Sequence, residues 1–238
     1  MEPAFVLHRW PYQDSSLIVE LLSREQGRFR VVAKGARRPK SQWRAVLQPF
    51  IPLLISSRGR HELQTLTHAE ASRDAYPLKG PALYSGFYLN ELIQRLTSHY
   101  QPVDGLFNDY DKALEQLALL PSIEPTLREF EWQLLCHLGH GFDWFHDEQG
   151  EEIIAERTYH FVAEQGFCRS QADQKHVFLG ADIQQLSTFE LVEPHLLNSM
   201  KLIMRQALLP YLGEQPLKSR QLFAQLSQLS QQSKQEGI

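Results

Sequence analysis

The chain has 238 residues, a net charge of −4, 42% hydrophobic and 22% charged residues, the balance of a folded protein that buries a core without staples. Its two cysteines, Cys136 and Cys168, exclude a disulfide framework and point to a reducing compartment. The longest uncharged apolar run, "AVLQPFIPLLISS", holds two prolines and is too short to span a membrane. "MEPAFVLHRWPYQDSS" lacks the charged-then-apolar layout of a secretion signal. These features predict a soluble, cytoplasmic protein with no membrane partner.

The first eighty residues read as short strands. "AFVLHRW" is apolar and β-prone and ends at Pro11; "SLIVELLS" follows, then a turn at "REQG" whose Gly27 suits a positive φ. "RFRVVAKG" alternates, with Arg28, Arg30 and Lys34 on one face and Phe29, Val31 and Ala33 on the other. "FIPLLIS" and "HELQTLT", joined by "SRGR", complete five strands. They predict a small closed barrel such as an OB-fold, and an SH3-like barrel fits the same count.

Beyond "AYPLKGP" the period becomes helical. "ALYSGFYLNELIQRLTSHY", "VDGLFNDYDKALEQLALL" and "TLREFEWQLLCHLGHG" predict three helices, the last opened by a Thr126–Glu129 capping box and closed by Gly139 or Gly141. Residues 142–185 read as irregular, with a hairpin in "TYHFVAEQGFC" around Gly166. "EPHLLNSMKLIMRQALLPYL" predicts a fourth helix with Pro194 in its first turn. A last short helix, "SRQLFAQLSQL", runs into the polar tail "SQQSKQEGI". The expected fold is α+β and multi-domain. An OB-fold barrel occupies residues 1–80, and a helical domain occupies 81–238 with a hairpin-bearing insertion at about 142–185.

Charge follows the same division. Residues 1–80 carry a net +6 and residues 81–238 a net −10, an asymmetry that points to a nucleic-acid- or membrane-facing front. The stretch "RFRVVAKGARRPKSQWR" concentrates it: seven cations and no acid in seventeen residues. Arg28, Arg30 and Lys34 lead along the strand into a loop with Arg37, Arg38, Lys40 and Arg44. Alternate strand side chains stand about 6.6–6.8 Å apart, close to one step of an extended single strand. Trp43 lies in the loop, and Trp10, Tyr12 and Phe29 lie nearby in the sequence; aromatic rings on a basic face can stack bases. The competing role for Phe29 and Trp43 is core packing.

Catalytic signatures are missing. There is no Walker A, dinucleotide glycine fingerprint, H-E-x-x-H, G-x-S-x-G or P-C-x-x-C motif. Cys136, His137, His140, His146, His160 and Cys168 invite a zinc hypothesis. No C-x-x-C pair exists, and Cys136 and His137 are adjacent and face different ways on a helix, so no metal and no cofactor are expected.

"GRFRVVAKGARRPKS" followed by "LQPFIPLLI", with "LYSGFYLNELIQRL", "LREFEWQLLCHLGHGFDWF" and "YLGEQPLKSRQLF" in order, resembles the RecO family of bacterial recombination mediators, of the gamma-proteobacterial type. The resemblance runs from about Ala4 to Phe223. It implies an N-terminal OB-fold, binding to single- and double-stranded DNA, ATP-independent annealing, and help in loading RecA onto strands covered by single-stranded-DNA-binding protein (SSB). It implies RecR and the acidic C-terminal tail of SSB as partners, and a nucleoid-associated location. Many members carry four zinc-binding cysteines in the part corresponding to residues 142–171. Here only Cys168 stands at such a position, with Gln171 in place of its partner, so Phe142, Trp144, Phe145, Tyr159, Phe161 and Phe167 are expected to hold the segment.

A tail ligand ending in an apolar residue needs an apolar pocket and a cation for its carboxylate. Arg128, near the expected cap Thr126, is the candidate cation, with Leu106, Phe107 and Tyr110 as candidate walls. Two other readings are an OB-fold RNA-binding or translation-associated protein, and a metal-dependent phosphodiesterase using the histidines and scattered acids.

Overall fold

The computed structural model describes residues 1–59, 63–170 and 174–221. The chain forms two compact units, Met1–Leu120 with the chain from Pro216, and Pro121–Gln215. No helix among the described residues is long and apolar enough to cross a membrane.

In the first unit, β1 (Glu2–Tyr12), β2 (Ser16–Ser23), β3 (Gly27–Ala33), β4 (Leu53–Arg58) and β5 (Leu63–Ala71) form a closed barrel in the order β1-β2-β3-β5-β4. β3 and β5 pair in parallel and all other pairs are antiparallel. With the four-residue helix α1 (Trp43–Val46) between β3 and β4, this is the OB arrangement, and it sets aside the SH3-like alternative. Phe29, Val31 and Ala33 point into the core with Val6, Val19, Leu21, Leu53 and Ile55, as the alternation in β3 predicts. β1 continues through Pro11 rather than stopping there. β4 pairs only with Glu2–Ala4, so at Pro11 that side of β1 needs no N–H and proline is tolerated.

Gly27 turns β2 into β3 at φ +68, and a Cβ there would lie 2.4 Å from the Gln101 carbonyl oxygen. No other residue fits without moving that backbone. α2 (Gly80–Leu96) and α3 (Leu106–Leu119) belong to this unit. Asn90 of α2 donates to the Leu7 carbonyl at 3.0 Å, tying the helix to β1. The chain returns at 216–221, where the Glu91 carboxylate accepts from the Lys218 and Ser219 backbone N–H groups and the Ser219 hydroxyl. Residues 218–221 are helical. The rest of the expected last helix and the tail lie outside the described residues.

The second unit holds α4 (Glu124–His137), β6 (Thr158–Val162), β7 (Gly166–Arg169), β8 (Val177–Leu179), α5 (Gly180–Leu186) and α6 (Pro194–Leu212), with sheet order β7-β6-β8. The hairpin around Gly166 and the start of α6 at Pro194 match the sequence reading, whereas β8 and α5 are too short to have shown a period. The capping box is not used. α4 begins at Glu124 with Pro125 in its first turn, and Thr126 is buried inside the helix. Proline's fixed φ suits that start. Gly139 closes α4 at φ +79, with the His140 N–H donating to the Leu135 carbonyl. Phe142 packs on Trp144 and Phe161 with ring centroids 4.7 Å apart, and Tyr159 and Phe167 are fully buried. Phe145 is the exception, 57% exposed.

Candidate nucleic-acid interface

The basic stretch divides into two environments. On β3, pairing with β2 sets Arg30 opposite Glu20 and Arg28 opposite Leu22. Arg28 is buried. Its Nη1 lies 2.8 Å from the Glu20 carboxylate, its Nε donates to the Thr97 hydroxyl at 3.1 Å, and its Nη2 donates to the Thr97 carbonyl. His99 Nε2 lies 2.8 Å from both Arg28 and Glu20. Arg28, expected on the phosphate-facing surface, is therefore a buried partner of an acid, because the segment at 97–100 covers this part of the strand: the Tyr100 N–H donates to the Arg28 carbonyl at 2.8 Å.

Glu20 is the centre of this arrangement, with only 1% of its side chain exposed. Burial alone pushes its carboxyl up. Hydrogen bonds from His99 and Gln94 and the Arg28 and Arg30 charges outweigh that, and it titrates below the usual glutamate range. The sequence reading missed Glu20, although the signal was present. A turn that pairs Ser23 with Gly27 places Glu20 across from Arg30.

Past Ala33 the environment changes. Lys34, Arg37, Arg38, Lys40 and Arg44 are all exposed, and among the described residues none of the five pairs with a carboxylate. The loop is nonetheless ordered by turns. Gly35 takes φ +69, the Arg38 N–H donates to the Gly35 carbonyl and the Ser41 N–H to the Arg38 carbonyl, and the Arg37 N–H reaches the Ser15 carbonyl at 2.8 Å. Trp43 turns inward and packs, partly buried, against the barrel core. Arg9 fixes the end of α1 by donating to the Leu47 carbonyl at 2.7 Å.

Arg30 stands at the border. It is 44% exposed and donates to Glu20 at 3.1 Å, and its guanidinium lies 5.2 Å from the Trp10 ring centroid. Trp10 in turn packs against the exposed His8, the rings tilted with centroids 4.3 Å apart. Burial pushes the His8 imidazole below its ordinary range; Glu20 opposes this, and Lys218 and Arg9 add to it.

The expected tail-binding residues are placed differently. Leu106, Phe107 and Tyr110 are core side chains of the first unit, 2%, 9% and 0% exposed. Phe107 and Tyr110 pack on Phe5, and the Tyr110 hydroxyl bonds Asn90. Arg128 lies in the second unit, past the first turn of α4, and pairs with buried Glu131 at 2.9 Å. Where the resemblance places zinc ligands, the buried Asp147 accepts from the Gln149 and Glu151 N–H groups at 3.0 Å and from Arg169 at 2.7 Å. Burial raises its carboxyl, and these donors more than reverse the effect. Among the described residues no group of three or more His, Cys, Asp or Glu could hold a metal ion. Gln171 lies outside the described residues.

A closed OB barrel with an ordered, acid-free cationic loop defines a nucleic-acid-binding class of protein. Family models for the N-terminal and C-terminal parts of recombination protein O match residues 1–74 and 78–221. A protein from Idiomarina loihiensis named DNA repair protein RecO is 46% identical over 224 residues, covering 92% of this chain and 96% of its own. Proteins of the same name from Haemophilus influenzae and Photobacterium profundum are 45% and 42% identical, each over 94% of this chain. The chain belongs to the RecO family.

Proposed function

We propose that the protein is a DNA-binding recombination mediator. It anneals complementary single strands and helps load RecA onto SSB-coated single-stranded DNA in recombinational repair. The observation that carries this reading is the loop from Lys34 to Arg44, where five exposed cations pair with no carboxylate among the described residues. Two phosphate backbones repel each other, and a row of cations offsets that repulsion while they pair. Annealing of this kind needs no nucleophile, so the proposed role is not enzymatic. The barrel at residues 1–80 is the proposed DNA-binding part, and residues 81–238 the part that meets the SSB tail; RecR is a further proposed partner. The proposed location is cytoplasmic, on the nucleoid.

The test is annealing of complementary oligonucleotides, naked and SSB-coated, without ATP. Acceleration of both supports the reading, and no acceleration of either overturns it. Preference for RNA over DNA of one sequence would favour the translation-associated alternative, and cleavage with divalent metals the phosphodiesterase.

For the SSB tail we propose Arg128 as the carboxylate contact. Arg128→Ala should weaken tail-peptide binding by ~1–3 kcal/mol and leave binding to bare single strands intact. Because Arg128 also neutralises buried Glu131, Arg128→Lys and a melting curve accompany it, so that lost folding is not read as lost binding.

A further inference from the structure

Three side chains outside the cationic loop form a surface that the barrel core does not use. A register shift between Val6 and His8 turns His8 and Trp10 to the outer face of β1, opposite Glu20 and Ile18 of β2. Their rings lie 4.3 Å apart at 37°, and neither belongs to the core cluster or packs against it. Arg30 reaches over Trp10 from β3 while Glu20 holds its guanidinium. Four residues further along, about 13 Å at the strand rise, Lys34 begins the cationic loop. An aromatic step flanked by cations fits a polyanion whose flat uncharged groups are exposed, which is single-stranded nucleic acid.

We propose that the His8–Trp10 pair is a stacking platform for an unpaired base, with Arg30 taking the phosphate beside it, and that this platform makes the protein distinguish single strands from duplex. The inference rests on the DNA-binding reading above. It adds the step that cations alone do not supply. The cationic loop attracts the phosphates of substrate and product alike, whereas a base stacked on His8 must leave when it pairs, because both its faces are then covered by neighbouring base pairs. Pairing therefore removes one contact and favours release of the duplex. Burial pushes the His8 imidazole below its ordinary range, which favours the uncharged ring, and an uncharged ring stacks on a base without drawing a phosphate to itself.

The experiment compares three probes of equal length: an oligothymidylate, an abasic strand and a duplex. Each is titrated against the full chain and against the variants Trp10→Ala, Trp10→Phe, His8→Ala and Arg37→Glu/Arg38→Glu. Wild type should bind the base-bearing strand roughly 5- to 150-fold more tightly than the abasic one, the range for one stacked base. Trp10→Ala and His8→Ala should lose most of that preference without changing abasic or duplex affinity, and Trp10→Phe should keep most of it. The loop variant should weaken all three probes. Should Trp10→Ala not fold, His8→Ala and the wild-type comparison carry the test. Equal wild-type affinity for base-bearing and abasic strands overturns the platform and leaves the DNA reading standing. So does a uniform loss on all probes in Trp10→Ala or His8→Ala. Failure of wild type to bind any probe overturns both.

Discussion

The two halves of the stretch from Arg28 to Arg44 look alike in composition and do different work. In the strand half, Arg28 is enclosed by Glu20, Thr97 and His99, and its charge is committed to the fold. In the loop half, Lys34, Arg37, Arg38, Lys40 and Arg44 face solvent, and among the described residues none of them pairs with a carboxylate. A buried cation is retained because removing it strands its partner. An exposed row with no carboxylate partner among the described residues contributes nothing comparable to stability, which leaves it free for the polyanionic ligand proposed above. Basic residues in a binding strand cannot be counted as contacts until the acids opposite them are known.

The largest effect that would break the comparison is on stability. Arg28→Ala should cost about 3–5 kcal/mol in denaturant unfolding, because Glu20 stays buried with less compensation. Once folded, the variant should retain the wild-type dependence of DNA affinity on salt. A variant of normal stability with a shallower salt dependence would move Arg28 to the loop's class.

Reversing charge in the loop should do the opposite. If about five cations engage a single strand, log affinity should fall against log salt with slope roughly −3.5. Arg37→Glu/Arg38→Glu should weaken DNA binding of any sequence by about 2 kcal/mol and flatten the slope by ~1.4, the share of two phosphate contacts. Its unfolding midpoint should stay within the scatter of surface substitutions. Unchanged affinity and slope would remove the loop from the interface.

Much of this was legible in the sequence because period carries it. Alternation placed Phe29, Val31 and Ala33 in the core, and the helical stripes located α2, α3, α4 and α6 within a few residues. What was not legible depends on partners distant in sequence. Arg28 reads as outward-facing by parity, and it is; the chain at 97–100 then covers that face. Trp43 reads as a loop aromatic, and the turns at Gly35 and Ser41 swing it inward. Thr126 and Glu129 satisfy a capping pattern that the helix start at Glu124, with Pro125 in its first turn, pre-empts two residues earlier. Leu106, Phe107 and Tyr110 had the right chemistry for a pocket, but nothing local reveals that Phe5 occupies the same space.

The smallest effect is on pH dependence, and it sharpens the comparison because only the strand half is paired with a buried acid, Glu20 of β2. Glu20's folded carboxyl lies below its ordinary value: burial raises it, and His99, Gln94, Arg28 and Arg30 together lower it further than that. A depressed folded value means that its ion pairs stabilise the fold fully above the unfolded value of about 4.3. As pH falls below that, the unfolded chain takes up the proton first, and the contribution fades until the folded carboxyl is protonated too. Glu91 and Asp147 are also lowered, so the acid limb of the whole protein is shared. The difference between wild type and Glu20→Gln isolates one group. That difference should be constant from pH 7 to about pH 5 and should shrink toward pH 3 in urea unfolding. Arg37→Gln/Arg38→Gln neither adds nor removes a carboxylate, so its stability should run parallel to wild type throughout this window. A gap between wild type and Glu20→Gln that stays fixed down to pH 3 would mean that Glu20 is not an ionised partner of Arg28, and the distinction between the two halves would rest on exposure alone.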